Sequence, residues 1–176
     1  MEISLLGLLT VLHGIGFGAL FMLAFSGAVT ELYRISVLRL YLGAMVVLAW
    51  ATVLSGAYLI YPWYRAAPPA GVIDLANYPK YFLIANPRTS GWHNLGMEWK
   101  EHVAWLAPIA MTMVAYVFGK YGAAVTKQKQ IRMAVLAFAV VAFVATGVAG
   151  AFGAYLSKYA PVRGGPSIQI MQGEQQ

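Results

Sequence analysis

Cysteine is absent, and acidic residues are scarce: six Asp and Glu stand against twelve Lys and Arg in 176 residues. Without thiols the chain forms no disulfide, no thiolate-bound metal site, no iron–sulfur cluster and no covalently attached c-type haem. Charged residues of both signs make up 10% of the sequence, whereas soluble domains carry about 25%. The motifs of soluble catalysis are also missing. There is no glycine loop to cradle phosphate and no His-Glu-x-x-His, and the three histidines are too few and too scattered for a nucleophile triad. The net charge of +6 is not gathered into a basic stripe with interleaved aromatics, so no nucleic-acid partner is expected.

What the chain does have is apolar length. Hydrophobic residues make up 60% of it, and its mean hydropathy is +0.66. A hydrocarbon core about 30 Å thick takes roughly 20 apolar residues in a helix. Four such runs occur, at about 3–30, 40–61, 102–119 and 133–156. The fold expected is an all-α integral membrane protein, a single four-transmembrane-helix bundle with one long outward-facing loop at 62–97 and a tail at 158–176. The first run lacks a basic flank and is longer than the apolar stretch of about 7–15 residues in a secretion signal, so it reads as a retained helix. Pro62, Pro68, Pro69, Pro79 and Pro87 keep the long loop from being one continuous helix.

Orientation follows from where the cations are dense. The short connections at 31–39 and 120–132 hold Arg34, Arg39, Lys120, Lys127, Lys129 and Arg132, with Glu31 as their only acid. Lys and Arg close to the spans in short loops favour the cytoplasmic side. Both termini and the long loop are then expected outside, in a multi-pass protein of the cell inner (plasma) membrane.

Ionisable residues within spans mark functional sites by default. His13 lies inside the first run and His102 opens the third; from Glu31 back to His13, and from Lys120 back to His102, is the same 18 residues. At 1.5 Å per residue both imidazoles sit roughly 27 Å from the cytoplasmic ends, at one depth. Gly14 follows His13, and the same measurement on the other two spans reaches Gly56 and Gly150. Two neutral imidazoles with little bulk around them suit one bis-histidine haem in a helix bundle. The alternatives are hydrogen-bonded packing histidines, another metal, or a proton-transfer role. His93 reads as a loop residue. Glu98, one turn before His102, is a candidate to accept a proton from a quinol or to orient the imidazole. Lys100, Arg65 and Arg88 are candidates to neutralise haem propionates.

With His13 and its following glycines on the first span and His102 on the third, the chain resembles the small four-helix membrane cytochromes b, the haem-bearing membrane subunits of respiratory complexes. That resemblance implies one haem b, with its iron on His13 and His102. It also implies electron transfer between a quinone pool and a partner redox subunit, as an electron-transfer component of an oxidoreductase complex in the lipid bilayer. No intramembrane histidine lies near the cytoplasmic side, so no second haem is expected. The rival reading is a non-catalytic scaffold or anchor subunit of a larger complex.

Overall fold

The computed structural model describes residues 4–31 and 34–160. Most of the tail at 158–176 therefore lies outside the described residues. All regular structure among them is helical: α1 (Leu5–Thr30), α2 (Ile35–Tyr64), α3 (Pro79–Ala85), α4 (Pro87–Tyr121), α5 (Ala123–Lys127) and α6 (Lys129–Tyr159). Four of these, α1, α2, α4 and α6, are long and apolar enough to cross a membrane.

Local chemistry sets the helix ends. Ser4 Oγ accepts from the Gly7 amide at 3.0 Å and caps the start of α1. Asn86 does the same for α4, its Oδ1 accepting from Arg88 N at 2.9 Å, and Pro87 follows at the first helical position, where a missing N–H costs nothing. Gly122 ends α4 with φ +36, and its N–H reaches the Phe118 carbonyl at 2.8 Å. A Cβ at Gly122 would stand 2.7 Å from Arg39 Nη2. That guanidinium also donates to the Gly119 carbonyl at 3.4 Å, so the two short basic connections meet at one end of the molecule.

The packing order is cyclic. α1 lies against α2 and α6, and α4 lies against α2 and α6, which leaves α1 and α4 diagonal. The apolar core is concentrated toward the basic connections: Phe21, Met45, Met111, Val114 and Ala142 are almost fully buried there. Toward the opposite end, here called the loop end, the packing thins. No residue of Leu12–Ala19 is buried, and none of Gly56–Ile60.

The apolar count misplaces the start of α4. This helix begins at Pro87, not at 102, because its first turns are amphipathic and polar and do not register as a span; residues 87–97 of the expected loop are helical, as are 79–85. Within α4 the helix tightens to a 3₁₀ turn at Val103–Trp105. Pro108 explains this: it has no N–H for the Ala104 carbonyl, and its ring crowds that carbonyl.

Candidate functional site

The loop end brings together His13 of α1, Ser55 of α2 and His93, Glu98, Lys100 and Glu101 of α4. In α1, His13 lies on a π-helical stretch, Leu12–Ala19, and a second such stretch, Gly56–Ile60, lies in α2 beside it. Widened turns of this kind are uncommon and occur often at functional sites. The imidazole packs on the bare backbone of Gly56, where a Cβ would stand 2.8 Å from His13 Cε1. Ser55 Oγ gives its proton to the Thr52 carbonyl at 3.1 Å, so it accepts from His13 Nδ1 at 2.9 Å. In the neutral ring the lone pair is then on Nε2, which is the arrangement of a ligating histidine held by a partner on its other nitrogen.

Lys100 is the charged group nearest His13. Its Nζ reaches 3.5 Å from where a Cβ on Gly153 of α6 would stand. It also lies within electrostatic reach of His13. No acid pairs with it among the described residues. Of the glycines expected at the histidine level, Gly56 makes the close approach, while Gly14 and Gly150 face open space. Gly153, one turn beyond Gly150, does the work in α6; helix depth alone cannot separate two glycines on one side.

His102 is placed differently from the expectation. Two residues beyond Lys100 is a rotation of about 200° on a helix. His102 accordingly shares an exposed face of α4 with Leu95, Leu106, Ile109 and Met113. Its side chain is 68% exposed, and its Nδ1 donates to the Glu98 carbonyl at 3.1 Å and lies 3.3 Å from the Glu98 carboxylate. The equal depths of His13 and His102 therefore do not make them facing ligands in one chain. As a ligand set for a b haem, His13 fits and His102 as its partner does not.

His93, nine residues further from the basic end than His102, faces inward as His102 was expected to, but not at the level of His13. It is helical, it lies about 20° from Lys100 around the helix, and it is 3% exposed. The missed signal was Asn86-Pro87, a cap followed by proline, which starts the helix early enough to include it. His93 lines a cavity of about 220 Å3 at the loop end together with Tyr64, Arg65, Lys80, Glu98 and Glu101. Arg65 Nη1 donates to Tyr61 Oη at 2.8 Å, and Tyr61 in turn donates to Glu101. Arg65 and Glu98 thus belong to this cavity, while Lys100 belongs to the His13 cluster. The chain matches no family model, no curated protein and no solved structure.

Proposed function

We propose that the chain is a four-helix membrane subunit of an electron-transfer complex that works on the quinone pool. What carries the reading is the set of polar groups gathered at the loop end: His13 with its Nε2 lone pair, the unpaired Lys100, and a polar cavity just beyond them. Ionisable groups at such depth are costly and are retained where electrons, protons or ions are handled. The cavity lies at the ends of α2 and α4, the height at which a lipid-borne quinone presents its ring to the interface. Glu98 and Glu101 supply carboxylates there, and Arg65 and Lys80 supply cations.

Of the residues expected to hold a b haem, His13 keeps the chemistry of an axial ligand and Lys100 that of a propionate partner. When bound, such a group supplies one-electron storage. Because His102 faces away, the pairing of both histidines on one iron within a single chain is set aside.

Reduced-minus-oxidised spectra of the purified complex test both levels. His13→Ala is expected to abolish any b-type signal and His102→Ala to leave it. Equal loss in both variants would restore the bis-histidine assignment, and a complex with neither haem signal nor quinol-dependent turnover would be an anchor only.

A further inference from the structure

Where α4 and α6 pack near the basic connections, the surface between them is recessed. The recess holds about 150 Å3 and every side chain lining it is apolar, among them Met113 and Val117 of α4 and Ile131, Ala134 and Phe138 of α6. Met113 and Phe138 stay 47% and 42% exposed at its rim, so it is an open groove rather than a closed cavity. Ile131 lies in the first turn of α6 and Val117 one turn before the end of α4, which puts one mouth of the groove at the basic end of the molecule.

The cations at that end are not equally engaged. Glu31 lies 3.3 Å from Arg34, and Arg39 donates to the Gly119 carbonyl, whereas no carboxylate pairs with Lys120, Lys127 or Lys129 among the described residues. Lys120 stands seven residues after Met113, about 20° away around the helix, so it continues the groove's α4 wall to the surface. Its Nζ is held 5.7 and 5.5 Å from the centres of the Tyr116 and Tyr121 rings and donates to Tyr116 Oη at 3.3 Å. An ammonium has three donors, so two remain, beside a phenol whose own O–H is also able to donate. Lys129 is the contrast: two residues before Ile131, it is turned about 200° away from the groove.

We propose that this groove binds an anionic phospholipid, with one acyl chain lying between Met113 and Phe138 and the phosphate meeting Lys120 Nζ and the Tyr116 hydroxyl. An apolar cavity of about 150 Å3 takes benzene, so the groove takes about six carbons of a chain, too little for a helix's row of side chains. A neutral lipid would fill it equally well; the charge at its mouth selects the headgroup, as basic pockets between spanning helices do. A basic surface also attracts anionic lipid diffusely, but here one lysine is in line with a recess and another, in the same end, is not. Such binding requires only that the helices span a bilayer, and is independent of the redox reading above.

Native mass spectrometry of the full chain released from detergent micelles, titrated with dioleoyl phosphatidylglycerol and with dioleoyl phosphatidylcholine, tests this. Wild type is expected to hold the phosphatidylglycerol about fivefold more tightly, the effect of one lysine beside an anionic headgroup. Lys120→Gln is expected to remove that preference and Lys129→Gln to keep it, while Ala134→Phe, which fills the groove, should weaken both lipids several-fold. All three side chains are exposed, so none of these changes opens the core. Equal retention of the two lipids by wild type would overturn the proposal, as would a preference lost equally in Lys120→Gln and Lys129→Gln, which marks diffuse attraction to a basic surface. Unchanged binding in Ala134→Phe would overturn the groove assignment, and a dimer that Ala134→Phe dissolves would give the groove to a second copy of the chain.

Discussion

At Gly56 the imidazole of His13 rests on backbone, and the cost of changing that contact can be reckoned. A Cβ there would stand 2.8 Å from His13 Cε1, whereas one at Gly150 would meet nothing within 4 Å. Gly56→Val is therefore expected to destabilise by ~1–3 kcal/mol, the usual cost of overpacking, and Gly150→Ala to be close to neutral; thermal unfolding of the two variants in one detergent checks the contrast. Ser55→Ala removes the acceptor of His13 Nδ1–H, a half-buried donor, and should cost about 1 kcal/mol, the net worth of one hydrogen bond, measured the same way. The small residue opposite His13, Gly56, was legible in the sequence, because it follows from counting along helices. The choice between His93 and His102 was not. Residue counting gives height, whereas the side a residue faces depends on where the helix starts and on the 3₁₀ turn at Val103–Trp105.

The start of α4 decides which residues form the cavity wall. Asn86 and Pro87 set that start, and Thr89 locks it by donating to the Leu83 carbonyl at 2.6 Å, which ties α4 to α3. Asn86→Ala should cost ~1 kcal/mol of cap energy. It is expected to fray the turn that carries Arg88, so limited trypsin digestion should cut after Arg88 several-fold faster than in wild type. Hydropathy could not reveal this turn, since it is polar; its capping dipeptide could. The four apolar segments were legible by length. The helices at 79–85 and 87–97 were hidden because prolines read as loop signals also begin helices.

For the molecule as a whole, the two basic connections share one end, joined by Arg39 to Gly119. In a cell membrane that end is expected on the cytoplasmic side. A tag inserted between Thr126 and Gln130 should be protected from external protease, while one between Pro68 and Asn77 should be cleaved; the reverse pattern would invert the orientation.

Dense packing near the basic connections and thin packing around His13 also imply that the molecule does not open as one unit. Local opening takes least free energy where few apolar contacts must be broken. Backbone amides of Leu12–Ala19 and Gly56–Ile60, which contain no buried residue, should exchange with deuterium well before those flanking Phe21, Met45 and Met111, which form the dense core. The half of the chain that holds His13 and Lys100 would then be its softer half, while the other half holds the helices in register.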